Sequence, residues 1–219
     1  MLGLRCLCAD LSCQGDSCGE RMKEFNIVTT GTGGQGVLTL AITIAQSAMA
    51  QGYDVKTSEL HGLAQRYGTI PCHIRFGKKI YSPLVLKGEA HLIIALEPLE
   101  ALRACYYGSK EHKTVFLMDT KKIVPLSVSV LKEKYPSIKE IQKNLKYFSK
   151  KVISLDASEI VKKEVGNVMP ANIFMLGYAY SKKLIPIKKR FLLEGMKKIV
   201  PEKYLEMNEK VFKLGMKGG

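Results

Sequence analysis

Gly31-Thr32-Gly33-Gly34-Gln35-Gly36 is the stretch that decides the fold. Before it, Phe25-Asn26-Ile27-Val28-Thr29-Thr30 is short and β-prone, which predicts a first strand. After it, the segment from Val37 to Ala50 is apolar and free of Gly and Pro, which predicts a helix. Strand, glycine turn and helix in succession form the opening unit of a doubly wound α/β domain. Glycines permit positive φ in the turn and let backbone amides approach a neighbour closely. Amides at a helix start also favour an anion there. Three uses of the loop stay open on pattern alone: a nucleotide cradle, tight packing of the helix beneath the strand, or contact with another protein. The dinucleotide use requires an acidic residue at the end of the second strand. The segment Tyr53 to Glu59 supplies Glu59 for that position.

Working outward, a chain of 219 residues buries one good core, and one domain is expected. A hydrophobic share of 46% with 25% charged residues is ordinary for a globular protein. No apolar run is long and clean enough to cross a bilayer, and the first residues lack a secretory layout. The expected location is therefore the cytoplasm, with no membrane partner. The net charge is +14. Its cations are mostly Lys, scattered in pairs such as Lys121-Lys122, Lys150-Lys151 and Lys197-Lys198. No aromatic-interleaved RNA motif, zinc finger or basic zipper accompanies them. A solvated surface attractive to an acidic protein fits better than a nucleic-acid site.

Residues 1–21 differ from the rest, crowding Cys6, Cys8, Cys13 and Cys18 among Gly, Ser and Asp. Their spacing matches neither zinc pairs nor the bacterial ferredoxin run. They are read as a non-native or disordered extension, with the working domain spanning 22–217. After the second strand, Lys56 to Thr69 is polar and includes His61, Gln65 and Arg66 beside Glu59. In an open α/β sheet this is the functional edge. These four side chains suit an anion or a partner, or a loop that satisfies its own backbone. Ile70 to Phe76 alternates as a strand, Gly77-Lys78-Lys79 suits a turn, and Ile80 to Val85 suits a return, an antiparallel hairpin. Leu92 to Leu96, Thr114 to Asp119 and Lys151 to Asp156 are further strands, the first two buried on both faces. Pro98 opens a helix whose first turn carries Glu97 and Glu100; capping is favoured over acid–base chemistry. Asp156 is expected to cap the helix after the last strand. Helices follow from Pro170 to Tyr180, with Gly177 allowing close packing, and then between and beyond Pro186 and Pro201. The expected fold is α/β: a single doubly wound, Rossmann-like, mostly parallel sheet with an added antiparallel hairpin and a helical C-terminal tail.

Several motifs in order now carry a resemblance. Gly31 to Leu38 resembles the glycine loop of the gamma-type domain of 2-oxoacid:ferredoxin oxidoreductases. Lys56-Thr57-Ser58-Glu59-Leu60-His61-Gly62-Leu63-Ala64-Gln65-Arg66 resembles the signature of its indolepyruvate branch, the beta subunit. His73-Ile74-Arg75-Phe76-Gly77, Tyr81-Ser82-Pro83-Leu84 and Leu96 to Arg103 continue the match. Two positions depart from the family pattern: Tyr67 stands in place of a Gly, and His91 in place of an Asp. The resemblance implies oxidative decarboxylation of arylpyruvates, transfer of the acyl group to coenzyme A, and electrons passed to ferredoxin. It implies that thiamine diphosphate and [4Fe-4S] clusters reside on a larger alpha subunit, in a heterodimer or a dimer of heterodimers. This chain is then expected to hold no cofactor, metal or catalytic residue of its own, and not to bind nucleic acid. Its contact residues would be Gly31, Gly33, Gly34, Gln35, Gly36, Glu59, His61, Gln65 and Arg66. The alternatives are the gamma subunit of a pyruvate or 2-oxoglutarate enzyme, or a stand-alone nucleotide-binding Rossmann protein.

Overall fold

The computed structural model describes residues 23–60, 68–124 and 134–218. The expectations for residues 1–21 and for His61, Gln65, Arg66 and Tyr67 lie outside the described residues. Six strands form one sheet: β1 (Glu24–Thr32), β2 (Asp54–Glu59), β3 (Thr69–Gly77), β4 (Leu92–Ala95), β5 (Val115–Asp119) and β6 (Lys151–Leu155). Their order across the sheet is β2-β3-β1-β4-β5-β6. β1, β4, β5 and β6 run parallel, and β3 is antiparallel to both β1 and β2. The mostly parallel sheet with an antiparallel pair is thus present. Chain order reverses between β1 and β4, because the chain leaves β1 towards one edge and continues from β4 towards the other. Such a reversal opens a crevice at the carboxyl ends of the strands.

Among the described residues, seven α-helices cover the sheet: α1 (Val37–Ala50), α2 (Pro98–Arg103), α3 (Ile138–Leu145), α4 (Ala157–Val165), α5 (Ala171–Ser181), α6 (Lys189–Ile199) and α7 (Glu202–Lys217). The strands alternate between two cores. Ile27, Ile74, Leu92, Ile94 and Leu117 pack with α1 and α4 to α7. Their neighbours Val28, Ile93, Ala95, Phe116 and Met118 pack with α2 and α3 on the other face. Both faces of β1 and β4 are therefore dry, which explains their continuous apolar spelling. Each such aliphatic side chain contributes roughly 1.5–3 kcal/mol by leaving water.

One expected pairing is not formed. Ile80 to Val85 is not a strand and does not return along β3; β3 instead slots between β1 and β2. The segment's backbone is occupied by side chains. The Ile80 N–H donates to Asp54 Oδ2 (2.8 Å), and the Val85 N–H donates to His73 Nδ1 (3.2 Å). Arg75 Nη1 donates to the Ser82 and Leu84 carbonyls (3.1 and 3.2 Å). Gly77 does not sit at a hairpin tip. It pairs with Glu24, and a Cβ there would lie 2.4 Å from the Lys23 carbonyl oxygen.

The C-terminal helices dock through glycines. A Cβ on Gly177 in α5 would lie 2.3 Å from the Phe212 carbonyl oxygen in α7. One on Gly215 in α7 would lie 2.2 Å from the Phe174 carbonyl oxygen in α5. The two glycines thus face one another's backbones and set the helix separation, as the small-residue spelling of α5 predicted.

Candidate functional site

The glycine stretch begins inside β1 rather than after it: Gly31 and Thr32 pair with Ile70 and Thr69 of β3. The turn proper is Gly33 to Gly36. Gly34 (φ 99°) and Gly36 (φ 73°) take the left-handed conformation that glycine tolerates. Gln35 folds back beneath the turn. Its Oε1 accepts from the Thr32 N–H (2.8 Å) and the Thr32 hydroxyl (3.0 Å), and its Nε2 donates to the Leu96 carbonyl (2.7 Å). It therefore braces the end of β1 against the end of β4. A Cβ on Gly31 would lie 2.8 Å from that Oε1, so Gly31 makes room for the brace. Asn172 Nδ2 at the start of α5 donates to the Gly36 carbonyl (2.9 Å).

The loop differs from a dinucleotide cradle in two respects. Its Gly33 N–H is already given to the Gly68 carbonyl (2.9 Å), and its Gln35 N–H to the Thr32 carbonyl (3.2 Å). In addition, β3 stands between β1 and β2. Two strand spacings, roughly 10 Å, thus separate Glu59 from β1, where a Rossmann ribose carboxylate sits one strand away. Glu59 is exposed at the edge of the sheet, and the structure does not bring it to the glycine turn.

Around the turn lies a cleft of about 350 Å³ lined by Gly33, Gly34, Gln35 and Leu96, by Asp119 at the end of β5 and Lys121 just after it, and by Ser158 and Asn172 at the starts of α4 and α5. It occupies the reversal point of the sheet. Asp119 is 1% exposed. Its Oδ2 accepts from the Ser158 N–H (3.2 Å) and hydroxyl, and its Oδ1 from the Lys121 N–H (3.3 Å). Burial pushes its carboxyl up, while those hydrogen bonds hold it down. It is Asp119 that caps α4. The expected cap, Asp156, makes no side-chain bond to its helix and accepts instead from the Thr120 hydroxyl.

Glu97 and Glu100, two further carboxylates at this edge, are also structural. Glu97 is 1% exposed and accepts from the Glu100 N–H (2.9 Å), capping α2 as expected. It also accepts from the Ile123 N–H (3.3 Å) and from the Tyr135 hydroxyl. Burial first and Glu97 second push the Tyr135 phenol far up. Glu100 accepts from the Thr69 hydroxyl (3.1 Å) and forms an ion pair with Arg103 Nε at 3.4 Å, and burial raises its carboxyl against the Arg103 charge. Neither carboxylate lines the cleft; the one that does, Asp119, is already taken by the Lys121 and Ser158 donors, an arrangement that suits orienting a polar group.

Sequence reasoning found the glycine turn but missed Asn172, Asp119, Lys121 and Ser158. Their signal is topological: each sits just past a strand's carboxyl end or at a helix start. Of the polar loop, the flanks are described. The Leu60 N–H donates to the Pro71 carbonyl (3.0 Å), and Gly68 is held by Gly33. Both flanks therefore reach the same edge as the cleft.

The described cysteines do not fit an iron–sulfur cluster. Cys72 is buried in β3 and Cys105 is half-buried in the turn after α2. Burial pushes the Cys72 thiol up to about 11 and raises Cys105, opposing the thiolate a cluster requires. Among the described residues, no three His, Cys, Asp or Glu side chains gather as a metal site.

Comparison with known proteins gives this chain relatives along most of its length. Indolepyruvate oxidoreductase subunit IorB of Pyrococcus horikoshii is 37% identical over 197 residues, covering 90% of this chain and 96% of its own. The keto/oxoacid ferredoxin oxidoreductase gamma subunit of Geobacter sulfurreducens shares the fold, with a TM-score of 0.62, 19% identity, and 88% and 96% coverage of the two chains. The 2-oxoglutarate:ferredoxin oxidoreductase of Magnetococcus marinus, solved with 2-oxoglutarate, coenzyme A and succinyl-CoA bound, contains the same fold. There the TM-score is 0.63 at 19% identity, and the match covers 90% of this chain and 32% of the larger one. The model of the pyruvate ferredoxin/flavodoxin oxidoreductase family matches residues 26–218, and the chain belongs to that family.

Proposed function

We propose that this chain is the beta subunit of an indolepyruvate:ferredoxin oxidoreductase. The complex oxidatively decarboxylates an arylpyruvate, passes the acyl group to coenzyme A and delivers two electrons to ferredoxin. The observation that carries this reading is the end-to-end match to indolepyruvate oxidoreductase subunits, at 37% identity over nine-tenths of the chain. The chemistry belongs to thiamine diphosphate and iron–sulfur clusters, which supply carbanion stabilisation and electron transfer when bound. On this reading both cofactors belong to a larger alpha subunit, in keeping with the two described cysteines, Cys72 and Cys105, which are not spaced for a cluster.

The chain's own contribution is a shaped carboxyl edge. The glycine turn, braced by Gln35 and Asn172, would present its exposed Gly34 tip and the cleft beside it to the alpha subunit. Lys121 and the starts of α1 and α5 favour a negative group there, and a coenzyme A phosphate or a partner carboxylate has the chemistry to fill it. Arg66, outside the described residues, is proposed for the same task, because its planar donor fork suits either group.

The test is co-expression with an indolepyruvate oxidoreductase alpha subunit, followed by anaerobic purification. Coenzyme A-dependent reduction of ferredoxin by indolepyruvate, with iron and thiamine diphosphate found only when the large subunit is present, supports the reading. Faster turnover of pyruvate or 2-oxoglutarate than of indolepyruvate would move the chain to a sister enzyme. Stoichiometric iron on this chain alone would overturn the division of labour.

A further inference from the structure

The opposite end of the sheet, where the parallel strands begin, is chemically unlike the cleft. The turns leading into β4, β5 and β6 meet there, together with the turn after β3 and the segment joining α5 to α6. Gln51, just past α1, holds that segment: its Oε1 accepts from the Lys188 N–H (2.7 Å) and its Nε2 donates to the Pro186 carbonyl (3.2 Å). Exposed at this end are Lys79, Lys87, Lys110 and Lys150 on the turns, and Lys183 and Lys188 on the segment. The described acidic side chains are fewer here, and two are engaged: Glu24 with Arg75 at 2.9 Å, and Asp54 with the Ile80 N–H at 2.8 Å. Glu89, Glu111 and Glu164 remain. Exposed Glu59, Asp156 and Glu159 lie at the other end, where β2 and β6 finish. Positive charge therefore exceeds negative across the whole amino end.

Large apolar side chains are exposed among these cations. Tyr81 (83% exposed), Leu86, Tyr106, Tyr147 and Phe148 lie on the turns, and Met49 on the last turn of α1. Ammonium groups stand over three of the rings: Lys79 5.0 Å from the centre of Tyr81, Lys87 5.8 Å from that of Tyr106, and Lys110 6.0 Å from that of Tyr147. Tyr106, Tyr147 and Phe148 share the wall of a concavity of about 660 Å³ with Lys87, Ser109 and Lys110.

The surface is also held in shape. Asn26 Oδ1 accepts from Arg75 Nε (3.0 Å), its Nδ2 donates to the Glu89 carbonyl (3.1 Å), and Arg75 fastens Ser82 and Leu84. The irregular segment 78–91, which carries Tyr81, Leu86 and Lys87, is thereby fixed to the sheet. Its tips are presented without the entropy cost of ordering a loop on contact.

We propose that this end of the molecule docks peripherally onto an anionic lipid surface. Each ring with its ammonium group forms an amphipathic unit. The ring enters the boundary between headgroups and acyl chains, and the ammonium group stays among the lipid phosphates. Dispersed lysines suit such a surface, because mobile headgroups neutralise them without a matching pattern of charges. The concavity between Lys87 and Lys110 has room for a headgroup phosphate. Other occupants fit less well. A second copy of this chain carries the same positive charge and would be repelled. A permanent protein interface is broad and apolar with few lysines at its centre. Nucleic acid favours the planar fork of Arg, and offers exposed Met49 and Leu86 no apolar layer to enter. No described helix is long and apolar enough to cross a membrane. None is needed: the expectation of no membrane partner rested on the lack of a span, which a surface contact does not require. The carboxyl edge, at the far end of the same strands, faces away from the lipid.

The test is co-sedimentation of the full chain with vesicles of phosphatidylcholine and phosphatidylglycerol, set against vesicles of phosphatidylcholine alone. Binding should need the anionic lipid and weaken as salt is added. Lys87→Glu with Lys110→Glu should weaken it about tenfold or more at low salt. Lys122→Glu with Lys203→Glu makes the same change in net charge at the carboxyl end and should leave binding unaltered. The sequence contains no Trp, so Phe148→Trp gives a single reporter at the docking surface. Its emission should shift to the blue on anionic vesicles and be quenched by brominated acyl chains, whereas Tyr204→Trp at the carboxyl end should show neither change. Failure of the unmodified chain to bind anionic vesicles would overturn the proposal. So would an equal loss in the carboxyl-end variant, or a blue shift from Tyr204→Trp in place of Phe148→Trp. Vesicle binding without a shift from Phe148→Trp would mark a contact of charge alone, open to any acidic partner, and would overturn the lipid assignment. An oligonucleotide bound more tightly than the vesicles at the same salt, and released by the Lys87 and Lys110 substitutions, would assign this end to nucleic acid instead. The chain bound to its alpha subunit should sediment with the same vesicles; loss of binding on assembly would show that protein covers this end. The readout is binding rather than turnover, so it is decided separately from the proposed function.

Discussion

Two side chains show how residue chemistry fixes this molecule. Gln35 ties β1 to β4 through both ends of its amide, and its removal would leave the Thr32 N–H and the Leu96 carbonyl to find other partners. Gln35→Ala is expected to cost about 2 kcal/mol. That lowers the melting temperature by roughly 4–8 °C in a chain of this size, which a thermal melt followed by circular dichroism would show. A glutamine in a glycine loop reads as a ligand contact in sequence; here its bonds are internal. His73 makes the second case. It is 1% exposed, and its Nδ1 accepts from the Val85 N–H, which a protonated ring cannot do. His91 likewise accepts from the Asn26 N–H (3.1 Å). Burial lowers both titrations, and the neighbouring His112 lowers that of His91 further. The unfolded histidines titrate near 6.5. Below that pH the unfolded chain binds protons that the folded one refuses, so stability falls as pH falls. The melting temperature should decline between about pH 6.5 and 5, before most carboxylates titrate. His73→Phe, less stable at neutral pH, should show a shallower decline; an unaltered slope would remove His73 from the account.

At the scale of elements, what sequence conveys depends on how local the cause is. α1 spans Val37–Ala50, the run that its apolar spelling predicts, because nothing inside it competes with the helix. β3 was legible as a strand but its partners were not. Alternation in Ile70 to Phe76 shows two unlike faces without saying which edges the strand will meet. Ile80 to Val85 has strand spelling, yet Asp54, Arg75 and His73 take its backbone bonds from a distance. The candidate site divides the same way. The glycine turn announces itself within six residues, whereas Asn172 reaches it from 136 residues further on. The α5–α7 contact gives this scale its prediction. Gly215→Ala would press a methyl group to 2.2 Å from the Phe174 carbonyl oxygen, on backbone that cannot swing away. The helices must then separate, at a cost of about 1–3 kcal/mol. Gly166→Ala, at a site open around it but with φ of 72°, tests backbone conformation instead of contact. A smaller loss in the melting temperature of Gly215→Ala than of Gly166→Ala would show that the close helix approach is not what Gly215 secures.

For the whole molecule, the sheet acts as a spacer between two chemically different ends. The amino end is lysine-rich with aromatic anchors. The carboxyl end combines the glycine turn, the cleft and an apolar groove of about 490 Å³ that runs beside it, lined by Gly36, Met169, Asn172 and Tyr204 among others. Met169 is 56% exposed and Tyr204 45%, while Asn172 borders both cleft and groove. Apolar side chains left in water beside a braced turn are what a permanent partner would cover. On the proposed function that partner is the alpha subunit, and Met169 is its most accessible anchor at this end. Met169→Glu introduces a charge that the partner must desolvate without a counter-ion, a strong way to break an interface. In the free subunit the new carboxylate stays in water, so the melting temperature should move by no more than about 0.5 kcal/mol of stability would allow. Affinity for the alpha subunit, measured by titration of the separately purified chains, should fall about tenfold or more. Turnover with ferredoxin and with viologen should fall together. If Met169→Glu assembles as tightly as the unmodified chain, the alpha subunit does not sit on this edge, and the cleft would have to serve a small molecule alone.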